Sequence, residues 1–422
     1  MLLLAAASSA QAATRYAEPG GKGPAGKCPK SNPCDIQDAV ESAAVKDGDK
    51  VVLAGGTYST EANELRVEKA VTISGTNKLP SSRILAAGGG FAVRVDNPGA
   101  ELRDIQIEQS GGTAALALLG GSADRMTVSS SGIGACTAIG DAALRNSFCL
   151  GTDGAAGFAL LAGGTFNFNP KLRGVTAVAA DPGPDAYGIR MGIGDGGVAE
   201  IDGVGVIASG PAGDVHAETA GPGNAATVVL DHSNFSTVST EGAGASITPP
   251  TEAGNQSEEP NLVNVGKGNL HQRASSPTVD AGAATDLGAL DVDREKRVQG
   301  EAPDIGADEI DSEVEGAKLK AKGVQAQHGS TVRVDLTAGA KEPVQVRAKG
   351  TVVVGSKTFA LSKASIGAKK KPKKIQLKLE KGDARKTLAA IEEGTAVEAE
   401  LSVGLTDKDG NTTILKRTVK LK

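Results

Sequence analysis

Three groups of residues in this 422-residue chain could do chemistry. Asp231-His232 sets a carboxylate beside an imidazole, a pairing that could serve as acid or base catalyst. Asp181, Asp185, Asp195, Glu200 and Asp202, with Arg190 and Arg173 close in sequence, form an acidic loop set that could bind calcium through oxygen ligands. With Arg190 they could also engage an acidic ligand. Asp291, Asp293, Asp304 and Glu309 are the third group. A hydrolase would need two or three such carboxylates on one groove, roughly 5–9 Å apart. A lyase acting on acidic glycans would need calcium or another neutralising group, with an Arg or Lys base. Each group also has a plainer explanation. Asp231-His232-Ser233-Asn234-Phe235 occupies the same repeat slot as Arg145-Asn146-Ser147-Phe148, a turn before a strand. The acidic loop set lies in a stretch where surface acids are common. There is no Gly-x-Ser-x-Gly, His-Glu-x-x-His or P-loop, and Gly192–Gly197 has no helix following it. The four histidines, His216, His232, His271 and His328, are dispersed. Trp is absent and Tyr occurs three times, so stacking platforms for sugar rings are few. That weighs against a carbohydrate enzyme.

The elements that must position these groups follow from a repeat. An apolar residue, two or three small or polar residues and another apolar residue recur as Leu102–Ile105, Ala123–Met126, Leu144–Phe148, Leu172–Val175, Ile201–Val204 and Leu230–Phe235. The second anchors lie at 105, 126, 148, 175, 204 and 235, and Gly and Asp cluster at the joins. A unit of roughly 22 residues made of short strands and glycine turns cannot bury its own apolar face, but stacked copies can. Strands of successive turns would pair in parallel at about 4.8 Å. The interior would be thin and filled by Val, Ile, Leu and Ala. This accounts for 57 glycines and only 2% aromatic residues. The same glycine content excludes a helical bundle. A mean hydropathy of -0.14, with no apolar run of 18 residues, argues against a transmembrane helix. Leucine-rich repeats would need regular Leu and an Asn ladder, propellers need longer blades, and sandwiches need hairpins. The expected fold is therefore all-β: a parallel β-helix. Asp35 would cap an amphipathic helix with apolar residues at 36, 39, 40, 43 and 44, covering the first open end.

Two end motifs carry a family resemblance. Cys34-Asp35-Ile36-Gln37-Asp38-Ala39-Val40, then Gly48-Asp49 and Gly56-Thr57-Tyr58, resemble the opening of right-handed parallel β-helix proteins of the pectate-lyase-like superfamily. Ser276–Gly282, Asp291-Val292-Asp293-Arg294, Arg297 and Pro303–Glu309 resemble the closing signature of the choice-of-anchor Q group of bacterial surface proteins. That group usually has an aromatic residue where this chain has Asp308, and often Gly where it has Arg294. The resemblance spans about residues 28–311, with the closing motif at 276–309. It implies a structural motif there, with Asp–Arg pairing. It also implies a secreted or cell-envelope protein with a structural, adhesive or polysaccharide-binding role. The superfamily contains lyases and hydrolases too, so the alternative is an extracellular polysaccharide lyase or glycoside hydrolase on acidic glycans.

The remaining features concern export and the tail. Residues 1–12 read as the remnant of a secretory signal: Leu2–Ala7 is apolar, and Ala10-Gln11-Ala12 fits small-x-small cleavage. An Ala-rich tail is the alternative, since no basic segment precedes it. Four cysteines fit export and allow three connectivities; locality favours Cys28–Cys34 and Cys136–Cys149 over the others, with free buried thiols as the alternative. The last 107 residues carry 23 Lys+Arg and 10 Asp+Glu, net +13; the first 315 carry 22 and 40, net -18. Glycine usage shifts at the same place, so 312–316 reads as a linker. Residues 317–422 read as a basic, β-sandwich-like domain with alternating strands, resembling a module appended to actinobacterial secreted proteins. Its Lys369–Lys374 run suits an anionic polysaccharide or cell envelope, or is a solvated hairpin loop. No aromatics interleave with it, so nucleic acid is not an expected partner. The chain is expected to be a secreted or envelope-associated monomer with no cofactor beyond calcium.

Overall fold

The computed structural model describes residues 12–61, 64–76, 81–310, 314, 316–407 and 412–422. The signal-like segment 1–11 and most of the 312–316 linker lie outside the described residues. The chain divides into two compact units, one ending at Glu309 and the other spanning Ile310–Lys422.

The first unit is all-β and is dominated by two long parallel sheets, of sixteen and eight strands. Each short strand pairs with the one about a repeat earlier and the one a repeat later. Glu101–Arg103 lies between Thr72–Ser74 and Ser122–Asp124, all parallel. Stacking in register makes columns of like residues. One column runs Val51, Ile73, Leu102, Ala123, Leu144 and Leu172, each almost fully buried. Each large member is worth about 1.5–3 kcal/mol of burial. The helix Ile36–Glu41 forms where expected. Asp35 accepts from the Gln37 N–H at 3.0 Å, and Ile36, Ala39 and Val40 are buried. It stops at Ser42, short of the expected stretch.

The repeat has a sharper definition in three dimensions. Asp104, Arg125, Asn146, Gly174, Gly205 and His232 all adopt left-handed φ, between 43° and 64°. They form one corner of successive turns, since Arg145 aligns with Arg173, which aligns with Val204, which aligns with Asp231. The residues after the corner are Ile105, Met126, Ser147, Val175, Val206 and Ser233. The anchors expected at 148, 204 and 235 are therefore displaced. At 148 and 235 the reason is chemical: Ser147 and Ser233 fill that slot with hydroxyls, whereas Val206 fills it in the turn of 204. Ser147 Oγ donates to the Arg145 carbonyl at 2.5 Å and accepts the Met126 N–H at 3.0 Å. Ser233 repeats this with the Asp231 carbonyl at 2.9 Å and the Val206 N–H at 3.0 Å. A one-residue slip reverses which face a side chain meets. Phe148 accordingly leaves the interior and joins Leu150, Val178, Leu270, Val292 and Ala307 in a separate apolar cluster.

That cluster is made by the closing segment, which lies along the corner ladder. Asn146 Nδ2 donates to the Leu287 carbonyl at 2.8 Å, the Gly306 N–H to the Gly205 carbonyl at 2.9 Å, and the Ala307 N–H to Thr176 Oγ1 at 3.0 Å. Gly174 suits this close approach at φ 60°, because a Cβ would come within 3.2 Å of the Gly306 carbonyl oxygen and 3.1 Å of Arg297 Nη2.

The second unit contains a three-stranded antiparallel sheet (Lys318–Lys320, Arg333–Gly339, Lys373–Lys378) and a six-stranded sheet. Strands Val397–Thr406 and Thr412–Leu421 pair antiparallel, and the helix Lys381–Glu392 buries Ala384, Thr387 and Ala390. The lysine run is not a hairpin. Ala364–Ala368 pairs with Val344–Val354 in the larger sheet, and Lys373–Lys378 with Arg333–Gly339 in the smaller. Residues 369–372 carry the chain from one sheet to the other.

Candidate functional site

His232 Nδ1 and Asp231 Oδ1 are 2.8 Å apart, and both side chains are half-exposed. His232 occupies the left-handed corner used five times before it, and its backbone N–H donates to the Ala253 carbonyl at 2.9 Å. The pair is thus positioned by the turn.

The acidic loop set does not converge. Asp181 accepts the Asp153 N–H at 3.0 Å in an exposed turn. Asp195 takes left-handed φ 55° in the turn between strands Tyr187–Gly194 and Val198–Val204. Asp202 lies on the sixteen-stranded sheet, paired with buried Arg173 at 2.7 Å. Asp185 meets Arg190 at 2.8 Å, beside the eight-stranded sheet. A calcium shell gathers its oxygens at about 2.3–2.6 Å from the ion, and residues sent to different sheets cannot do so.

Around Asp185 and Arg190 lies a cluster that the sequence reading missed. Arg190 Nη2 also donates to Glu218 Oε1 at 3.0 Å. His216 precedes Glu218 by two residues on the same strand face; its Nε2 is 3.7 Å from Glu218 Oε2, and its Nδ1 is 2.8 Å from Ser239 Oγ. Tyr187 stacks on the His216 ring at 4.7 Å, with planes 16° apart. Glu241 is the register partner of Glu218. Applying the repeat length from 218 to 241, and from 216 to 239, would have joined these residues.

In the third set, within the closing segment, Asp291, Asp304 and Glu309 are buried and Asp293 is exposed; the buried carboxylates are held mostly by backbone contacts. Asp291 accepts the N–H groups of Asp293, Glu295 and Glu309, and Glu309 accepts those of Gln299 and Asp304. Arg297 donates to the carbonyls of Asp304 and Gly306 at 2.8 and 2.6 Å. Arg294 pairs with Asp104, 190 residues upstream, at 2.6 Å, and Arg125 joins the same carboxylate at 2.8 Å. Arg294 thus pairs with a carboxylate of the corner ladder, and Arg297 is held by backbone carbonyls, in place of the expected Asp–Arg pairing within the motif. Burial raises Asp291 to about 6 and Glu309 to about 8. Burial also raises Asp308, to about 7, against the pull of His271. His271 bridges Asn269 and Asp293 at 2.7 Å each. Burial opposes its charge, but the bond to Asp293 and the carboxylates of Asp308 and Asp291 outweigh it, holding the pKa at about 9. Both ring nitrogens then act as donors, and the imidazolium ties the strand Asn269–Gln272 to the closing motif.

The second unit presents a basic face. Lys320, Lys374, Arg333 and Lys378 are exposed on one side of its three-stranded sheet, where Lys320 lies on a row with Thr337 and Lys374, and Arg333 with Lys378. Asp335 on the same face accepts from Gln376 Nε2 at 2.8 Å. With Lys322, Gln325 and His328 this face borders a cleft of about 1210 Å³. In the first unit a groove of about 680 Å³ is lined by hydroxyls and acids, including Ser59, Glu108, Ser129, Ser131, Thr152 and Asp153.

No family model matches the chain, and no curated protein matches it. A solved structure of murine CRIg is similar at 15% identity, over 25% of this chain and 96% of that one, with a TM-score of 0.18. At that score the likeness bears on neither fold nor function. Both cysteine pairs form disulfides, Cys28–Cys34 and Cys136–Cys149, and no helix among the described residues is long and apolar enough to cross a membrane.

Proposed function

We propose that the protein is a secreted or envelope-associated binding protein that attaches to anionic polysaccharide. In this reading the first unit is a right-handed parallel β-helix of the pectate-lyase-like, choice-of-anchor Q type, with the helix Ile36–Glu41 capping its first turn. The second is a β-sandwich module that supplies electrostatic adhesion. The observation that carries the reading is the basic cleft: Lys320, Lys322, Arg333 and Lys374 against Asp335, which is already engaged by Gln376. Such a face attracts polyanions, and salt screens the attraction over about 8–10 Å. Two disulfides support an oxidising compartment. The dispersal of the acidic set and the corner role of His232 leave the scaffold reading ahead of a lyase or hydrolase.

The test is binding of the full chain to a polyuronate such as polygalacturonate at low and high salt, beside a Lys320→Glu/Lys374→Glu variant. Salt-sensitive binding that is lost in the variant supports the reading. Equal binding by the variant excludes this cleft. Release of unsaturated or reducing sugars would favour the enzyme instead.

A further inference from the structure

We propose that His216, Glu218 and Glu241, on the outer face of the eight-stranded sheet, bind a divalent transition-metal ion of the zinc type. The three donor atoms lie within 4.8 Å of one another. His216 and Glu218 project from the same side of one strand, and Glu241 faces Glu218 from the next. A tetrahedral shell with bonds of about 2.0–2.2 Å needs neighbouring donors roughly 3.3 Å apart. Glu218 Oε2 already lies 3.7 Å from His216 Nε2. Glu241 is exposed and free to swing the remaining distance.

The surroundings are those of a held ligand. His216 is only 9% exposed. Tyr187 stacks on its ring, and Ser239 Oγ engages Nδ1. With the proton on Nδ1, Nε2 turns its lone pair to the carboxylates, the arrangement that outer partners impose on metal-binding histidines. At 3.7 Å the nearest carboxylate oxygen is beyond hydrogen-bond reach of Nε2. Gly192, the register partner of Glu218, leaves the space in which that side chain lies: a Cβ there would meet Glu218 Oε1 at 2.8 Å. Arg190 takes Oε1 and leaves Oε2 to the site.

Charge points the same way. Asp185, Glu218 and Glu241 outweigh Arg190 by two negative charges. Like charges directly across neighbouring strands repel, and a dication relieves that repulsion. One imidazole and two carboxylates suit zinc and its first-row neighbours. The other His–acid group, His271 with Asp293 and Asp308, is unsuited, because both nitrogens of His271 are already bonded.

The test uses untagged full-length protein, stripped with chelator and titrated with Zn²⁺ by calorimetry and with Co²⁺ by absorption. One ion per chain is expected. Ser239→Ala should weaken binding by the ~10–100-fold typical of lost outer partners, and Glu241→Gln by at least as much. Asp293→Asn should leave affinity unchanged. Glu241 is on the surface, so thermal melting of Glu241→Gln should match the parent. Unchanged affinity in Glu241→Gln, loss of binding in Asp293→Asn, or no saturable binding by the parent chain would each overturn the assignment.

Discussion

Asp308 offers a sharp test of how the closing segment is held. It stands where the resembling motif usually has an aromatic ring. It is 6% exposed, and its Oδ2 accepts the Gln272 N–H at 2.7 Å. Burial raises its pKa to about 7, from 3.8 for a free side chain. A raised carboxyl contributes stability that is complete below pH 4, where folded and unfolded chains are both protonated. Between about pH 4 and 7 the unfolded chain releases the proton and the folded one keeps it, so stability falls as pH rises. Three units at about 1.36 kcal/mol each make the loss about 4 kcal/mol, complete above pH 7. Asp308→Asn retains an acceptor for Gln272 and cannot ionise. Urea unfolding of parent and variant at pH 4 and pH 8, followed by circular dichroism, should show the variant gaining about 4 kcal/mol on the parent over that interval. A swing of less than about 1 kcal/mol, one typical hydrogen bond, would refute burial of an ionisable Asp308 as the dominant effect.

Three further outcomes follow from the same contacts. Asp104→Asn should destabilise the first unit by about 3–5 kcal/mol in denaturant titrations, because it strips the shared carboxylate from Arg125 and Arg294. Replacing Cys136 and Cys149 together by Ala should cost about 3 kcal/mol by the same measurement, the value for closing a loop near the observed 13-residue separation. His232→Gly should raise the melting temperature, since the left-handed corner at φ 43° costs a non-glycine residue about 1 kcal/mol; a fall would show that the Asp231–His232 contact outweighs the corner.

Much of the parallel scaffold could be read from the chain because its signals are local. Leu102, Ala123, Leu144 and Leu172 recur at nearly constant spacing and form one buried column. Asp35 marks the helix start by a contact two residues away. The anchors at 148 and 235 are displaced because apolar character marks Phe148 and Phe235, whereas the slot after the corner is held by Ser147 in one turn and Ser233 in another. The corner itself is a backbone property shared by Asp, Arg, Asn, Gly and His, so side-chain chemistry hides it. The acidic loop set looked like one site because its members are close in sequence, but strand alternation and the turn between sheets send Asp185 and Asp202 apart. The converse holds for His216, Glu218 and Glu241. They are brought together by a rung spacing that sequence proximity does not reveal, as His271 is brought to Asp293.

The central claim, that this chain binds acidic polysaccharide without processing it, is tested most directly by one titration. Full-length protein is mixed with polygalacturonate at low salt, and bound polymer and released sugar are measured in the same sample. Saturable binding that salt reverses, with no unsaturated or reducing ends formed, is the predicted result. Accumulating sugar ends, or no binding at low salt, would contradict it.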